Sequence, residues 1–124
     1  MVEKGLKSES RTVVSADNVA ATMGSGDMQV FATPAMVALM ENAAMNAVAG
    51  VLEPGVSTVG VVLSVSHVMA SPVGAEVSAS AVLTEVDGRK LTFEVRAWDD
   101  KGTIGEGRHV RFIVDRERFL AKLG

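Results

Sequence analysis

The segment TPAMVALMENAAMNAVAG, residues 33–50, is the one long run of the chain with a helical apolar repeat. Val37, Glu41, Ala44 and Val48 fall along one face of it, flanked by Met40 and Met45, at the spacing of a core-facing stripe. Thr33 suits the N-cap, and Pro34 suits the first helical position, where its missing N–H costs nothing. The helix is expected from about Pro34 to Ala49, with Gly50 supplying a left-handed C-terminal residue and Glu53-Pro54-Gly55 a turn. Glu41 disturbs this pattern. Either something holds and uses a carboxylate within the stripe, as acid–base chemistry requires, or Glu41 sits at the stripe's edge and reaches solvent.

The segments that follow alternate with a period of two. In STVGVVLSVSHVM (57–69), Val59, Val61, Leu63, Val65, His67 and Met69 are expected on one face, with Gly60, Ser64 and Ser66 on the other. EVSASAVLTEV (76–86) is a strand ended by the hairpin signal Asp87-Gly88. KLTFEVRAW (90–98) places Leu91, Phe93, Val95 and Ala97 inward, Asp99 to Gly102 turns the chain, and a last strand covers roughly Thr103 to Val114. Residues 115–124 read as a short helical or irregular tail carrying Phe119 and Leu120. Upstream, RTVVSADNVA (11–20) is a short extended candidate, and Gly24 and Gly26 in MGSGDM favour a loop. An α+β fold follows, an antiparallel sheet wrapped around one helix, with the other face of the sheet in solvent.

Small and β-branched side chains suit that packing: the chain is 48% hydrophobic but 4% aromatic, with 12 glycines. At 124 residues it is read as one domain, with a polar N-terminal extension of roughly ten residues, near the size at which a partner subunit adds useful burial. A formal charge of −3 without any basic, aromatic patch argues against nucleic acid as a partner. The absence of cysteine removes disulfides, thiolate metal sites and cysteine nucleophiles. Two histidines without a further acidic cluster make a poor metal site, so neither a metal nor a cofactor is expected. MVEKGLKSESRTVV lacks a signal-peptide core, and no apolar run reaches membrane-spanning length, so a cytoplasmic location without a membrane partner is expected. Gly105 and Gly107 lie in a late β segment and do not open a helix, which argues against a dinucleotide fingerprint.

The arrangement resembles the hotdog-fold acyl-CoA thioesterases, and specifically the fluoroacetyl-CoA thioesterase-like family. The resemblance runs through FATPAMVALMENAAMNAV (31–48), LEPGVSTVGVVLSVSHVMASPVG (52–74) and EVDGRKLTFEVRAWDDKGTIGEGRHVRF (85–112). It implies a Thr–Glu–His active site, which here falls on Thr33, Glu41 and His67. It also implies a pocket glycine at Gly60 and relates GRHVR, with His109 and Arg111, to a family segment carrying the same residue types. Hotdog proteins join subunits through their sheets, so the resemblance implies a homodimer, or a pair of dimers, with acyl-CoA as substrate. The family's fluoroacetyl-CoA-specific member is associated with an aromatic lid before the threonine. MGSGDMQVF has only Phe31 near it, so a short or medium acyl group is expected without a fluorine-selective pocket.

Thioester hydrolysis needs a deprotonated water, a stabilised oxyanion and a thiolate leaving group. His67 could take the water proton while Glu41 orients or charge-stabilises the imidazole. Thr33 could attack the carbonyl itself or position the water and acyl oxygen, and positioning is favoured; Glu41 could also attack to give an anhydride. Plainer accounts stand beside these. Capping alone, about 1 kcal/mol, accounts for Thr33, and a hydrogen-bonded core or interface role accounts for His67. His109 is read as structural. Met36 and Met40 could line an acyl pocket, although core filling is the more economical account. Arg89, Lys90, Lys101 and Arg108 could approach the CoA phosphates, Arg108 being the candidate taken. The rival classes are a non-catalytic acyl-CoA or acyl-ligand binding protein, an acyl-CoA dehydratase or hydratase, and a structural dimerisation module.

Overall fold

A computed structural model describes the chain from Met1 to Gly124. In chain order it forms β1 (Lys7–Val13), α1 (Ala20–Met23), α2 (Thr33–Ala49), β2 (Val56–His67), β3 (Glu76–Asp87), β4 (Lys90–Asp99), β5 (Gly102–Asp115) and α3 (Arg116–Ala121). The strands make one antiparallel sheet in the order β1-β3-β4-β5-β2, so β1 and β2 are its edges. Helix α2 packs across one face, chiefly on β1 and β3. No helix is long and apolar enough to cross a membrane.

Alternation places the core. Val77, Ala79, Ala81 and Leu83 of β3 and Leu91, Phe93, Val95 and Ala97 of β4 are buried against Met36, Met40, Ala43, Ala44, Ala47 and Val48 of α2. The alanines on both partners let helix and sheet approach closely, and the longer methionines fill the remaining gaps. Met36 lies over Gly105, where an added Cβ would come within 2.7 Å of the Met36 sulfur. A glycine is needed there chiefly because the backbone carbonyl of Ser66 on β2 comes closer still, and unlike the methionine tip it cannot move aside. Truncating a core side chain such as Met40 to alanine would cost about 2–5 kcal/mol.

The β3–β4 hairpin forms as expected, with Gly88 at φ 60° opening a two-residue loop between the paired Asp87 and Lys90, the arrangement in which a first-position glycine is favoured. Several expectations need correction. The polar N-terminus is not an extension: Lys7–Val13 pairs with β3 as an edge strand, earlier than the 11–20 segment suggests. The period-two signal was hidden because the inward side chains there, Ser8, Ser10 and Thr12, are themselves polar. Gly50 is right-handed at φ −73°; the left-handed glycine after the helix is Gly55, at φ 82°, in the following turn. Met45 is exposed, because the buried stripe is centred on Met40 and Ala44 and not on Val37 and Glu41.

The largest difference lies in β2. The pairing with β5 runs from Val56↔Asp115 to Gly60↔Arg111, then resumes at Val62↔Val110, leaving Val61 as an extra residue. One extra residue reverses which side chains face the helix. Thr58 and Gly60 face inward before the bulge, and Leu63, Val65 and His67 after it, while Val61 and Val62 are exposed. The six odd-numbered residues therefore do not share one face.

Candidate active site

The entry into α2 decides what Thr33 can do. Ala32 is the N-cap, with φ −73° and ψ 139°, and its carbonyl accepts the first helical bond from Met36 N at 3.0 Å. Its position is fixed by Ala32 N donating to Asn18 O and Phe31 N donating to Ser71 O, both at 2.9 Å. Thr33 is therefore the first helical residue, and its hydroxyl caps nothing. Thr33 Oγ1 instead lies 2.7 Å from His67 Nδ1, at the end of β2. This corrects the N-cap expectation and frees the hydroxyl for another use.

The other nitrogen of His67, Nε2, is buried and has no hydrogen-bond partner. Burial holds the imidazole below its ordinary pKa, partly opposed by a backbone hydrogen bond at Met69. The neutral ring, with one lone pair available, is therefore the resting form near pH 7. Thr33 and His67 line a cavity of about 260 Å³ with Phe31, Val30, Met69 and Ala70, and Ala20 and Ser25 contribute to the same lining. The glycine-bearing loop thus reaches this site through Ser25.

Glu41 belongs to a second cluster, on the inner face of the bulge. Its Oε2 is 3.6 Å from Arg111 Nη1, with the carboxylate side chain 38% exposed and the guanidinium side chain 7% exposed. Glu41 is thus at the edge of the helical stripe, open to solvent on one side. Arg111 Nε donates to Thr58 Oγ1 at 2.8 Å and Nη2 to Thr58 O at 2.9 Å. Nη1 also lies 3.2 Å from His109 Nε2. Burial lowers the Arg111 pKa and the Glu41 carboxylate raises it; a guanidinium remains charged throughout. Gly60 makes room for all of this: a Cβ there would stand 2.6 Å from Glu41 Oε2 and 3.1 Å from His109 Cε1.

Within one chain the structure joins Thr33 to His67 but does not join Glu41 to either. Glu41 follows Thr33 by eight positions of the helix, about 12 Å along the axis, and the polar partner of Glu41 is Arg111. The expectation that Glu41 orients the His67 ring is corrected accordingly, since the ring's Nδ1 is matched to Thr33. Of the remaining candidates, Phe31 lines the cavity beside Thr33 and His67, and Gly60 lies against Glu41. Met36 and Met40 are fully buried core residues and do not line the cavity. Arg108 points to the outer face of the sheet, where it lines a groove of about 440 Å³ with Glu94, Arg96 and Glu106, away from Thr33 and His67. The sequence reading gave no role to Thr58 and none of its own to Arg111. The signal available was the doublet Val61-Val62 before Leu63, which breaks the alternation where β2 bulges.

A family model described as a fluoroacetyl-CoA-specific thioesterase matches residues 14–117. The chain is 43% identical over 95 residues to the fluoroacetyl-CoA thioesterase of Streptantibioticus cattleyicolor, a match spanning 77% of this chain and 68% of that protein. A solved structure of a fluoroacetyl-CoA thioesterase is similar at a TM-score of 0.92 and 34% identity, covering 99% of this chain and 96% of that one. A mutant of such an enzyme in complex with fluoroacetate and CoA is similar at a TM-score of 0.89 and 34% identity, covering 95% of this chain and 99% of that one. A thioesterase superfamily member from Thermus thermophilus is similar at a TM-score of 0.90 and 25% identity, covering 99% of this chain and 91% of that one.

Proposed function

This chain belongs to the fluoroacetyl-CoA-specific thioesterase family, with the hotdog fold and the acyl-CoA thioester hydrolysis of that family, and we propose that Thr33, His67 and Glu41 carry the reaction. The observation that carries the proposal is the 2.7 Å contact of Thr33 Oγ1 with His67 Nδ1, which leaves the buried Nε2 without a partner. With Nδ1–H donating to the threonine oxygen, Nε2 holds the lone pair and serves as the base for an attacking water. Thr33 is then the orienting partner of the imidazole. The first turn of α2, whose leading N–H groups lack intrahelical acceptors, offers its positive end to the developing oxyanion. The leaving group is a CoA thiolate, and a thiolate is a far weaker base than an alkoxide, so it departs without a strong general acid.

Glu41 enters from a second subunit in this reading. β2 is an unpaired edge with Val61 and Val62 54% and 48% exposed, and such an edge calls for a partner strand. Glu41 lies against Gly60 of that strand. Pairing β2 with its copy in a homodimer would bring the partner's Glu41 toward the Thr33–His67 pair, where its charge can steady the imidazolium formed during attack. The cavity of about 260 Å³ supports a short acyl group, being at the small end of ligand sites. Phe31 is the one aromatic wall of that cavity, which favours short acyl-CoAs broadly over fluoroacetyl-CoA alone.

Thiol release from short, medium, aromatic and halogenated acyl-CoAs tests the reading, with His67→Ala and Glu41→Gln purified separately and then mixed. Each variant alone is expected to be inactive. Mixed and re-equilibrated, they should regain about one quarter of wild-type turnover, because half the dimers are mixed and each has one complete site. No recovery would place Glu41 and His67 of the same chain in one site. Turnover surviving both substitutions would remove the assignment. Binding of acyl-CoA without turnover by the wild type would favour a non-catalytic acyl-ligand protein.

A further inference from the structure

We infer that His109 is a positioning residue for Glu41, a neutral imidazole that holds Arg111 at a set distance from the carboxylate. The inference rests on the reading that Glu41 serves the reaction. His109 is fully buried on β5 and both of its ring nitrogens are engaged. Nδ1 is 2.8 Å from Val62 O, and a carbonyl only accepts, so Nδ1 carries the hydrogen. Nε2 is 3.2 Å from Arg111 Nη1, and a guanidinium only donates, so Nε2 carries the lone pair. These opposite demands fix one neutral tautomer. A protonated ring would turn an N–H toward the guanidinium and lose that contact.

Each partner matters to Glu41. Val62 is the residue that follows the extra Val61, so the His109 bond ties the bulge in place and with it the inward turn of Gly60 beneath the carboxylate. Arg111 has Nε and Nη2 committed to Thr58. Only Nη1 is shared, 3.2 Å from His109 and 3.6 Å from Glu41 Oε2. Nη1 carries two hydrogens, so the imidazole accepts one and anchors the nitrogen while the other faces the carboxylate at 3.6 Å. Without that anchor, Nη1 is free to close on Glu41 and tie up the charge the reaction needs. The groups facing His109 are Arg111 on its own strand, Glu41 on α2, Thr58 and Val62 on β2, and Phe93 on β4, whose ring stacks at 6.2 Å. Burial lowers the His109 pKa and the neighbouring Arg111 adds to that effect, while Glu41 opposes it.

The test separates the two bonds in the full chain. In His109→Asn the amide can still donate to Val62 O but is too short to reach Arg111, whereas in His109→Gln the side-chain carbonyl can accept from Arg111. His109→Asn is expected to lower kcat about 10- to 100-fold with KM little changed, the effect of a misplaced catalytic group, and His109→Gln to recover most of it. Equal kcat in the two variants, or losses that follow their thermal stabilities, would overturn the inference. Glu41→Gln separates the failures: if it retains full turnover, the Glu41 reading fails and takes this inference with it. If Glu41→Gln is inactive while His109→Asn turns over normally, the inference alone fails. Nitrogen NMR of wild-type histidines needs no variant to fold. His109 should hold the hydrogen on Nδ1 throughout the active pH range, and an Nε2–H or doubly protonated ring there would overturn the inference.

Discussion

His67, half-buried, and His109, fully buried, are both neutral bases, yet they are left differently equipped. His109 spends both nitrogens on fixed partners, and His67 keeps Nε2 unpaired. Burial lowers the pKa of each below 6.5. The unfolded chain therefore binds protons that the folded chain refuses. This contribution to stability is complete above about pH 6.5 and is lost as pH falls through that value toward the lower folded pKa values. Thermal melts between pH 8 and pH 5 should show a falling Tm, and the slope should be shallower in His109→Gln. A slope unchanged by that substitution would assign the acid sensitivity elsewhere. The same sign puts the acid limb of kcat/KM below pH 6.5, since His67 remains a base until the lower pKa is passed. The family resemblance pairs Thr33 with His67, and the structure places the two in contact. The cluster around Glu41 was less legible in the sequence. Arg111, Thr58 and His109 come from two strands whose side chains face each other only through a register that the bulge sets, and the one trace of that register along the chain is the Val61-Val62 doublet.

The N-terminal turn of α2 and the bulge of β2 are where sequence patterns and structure part, and both matter to the chemistry. A threonine before Pro34 satisfies the N-cap preference, but the chain enters the helix one residue earlier, through Ala32. Tertiary bonds to Asn18 and Ser71 hold that entry in place and outweigh the local preference. Because Thr33 caps nothing, Thr33→Ala should lack the usual capping penalty of about 1 kcal/mol. Its lost hydrogen bond to His67 is offset by the better helix propensity of alanine, leaving stability within about 0.5 kcal/mol of wild type. Thioester turnover should nonetheless fall by about 100-fold or more, as for other groups that orient a catalytic base. Urea unfolding and thiol release on the same sample would show the contrast, and a loss of stability in step with activity would return Thr33 to a capping role. At the bulge, Gly60→Ala would press its Cβ on Glu41 Oε2 from 2.6 Å. The carboxylate must move, so kcat should fall while the sheet, whose ladder is untouched, keeps its Tm within a few degrees. A fully active Gly60→Ala enzyme would show that Glu41 need not stay where it is. Strands β3 and β4 were readable from alternation, each to within one residue at its end, whereas β1 was not. β2 misled because a period of two counts residues, and a bulge adds one without changing the hydrophobic character of the segment.

At the scale of the whole molecule, the sheet ends in two edges of different character. β1 alternates exposed Lys7, Glu9 and Arg11 along its length, and charged side chains discourage strand addition. β2 carries Val61 and Val62 at 54% and 48% exposure and no charge between Val56 and Ser66. Apolar side chains on an open edge are a liability in a monomer and an asset at an interface. The same strand holds His67 at one end and backs Glu41 at its centre. An antiparallel pairing of β2 with its copy would therefore cover the valines and bring the two incomplete clusters together by one symmetry operation. Val61→Lys tests this, because Val61 is the extra residue of the bulge and lies exposed, outside the core cluster. The variant should fold with an unchanged circular dichroism spectrum, sediment as a monomer where the wild type sediments as a dimer, and lose turnover although Thr33, Glu41 and His67 are all present. A monomeric variant with full turnover would mean that one chain suffices, with Glu41 acting only through the Arg111 network. A dimeric wild type that stays dimeric with lysine at this position would instead move the interface to another surface, and the exposed valines would then need a different account.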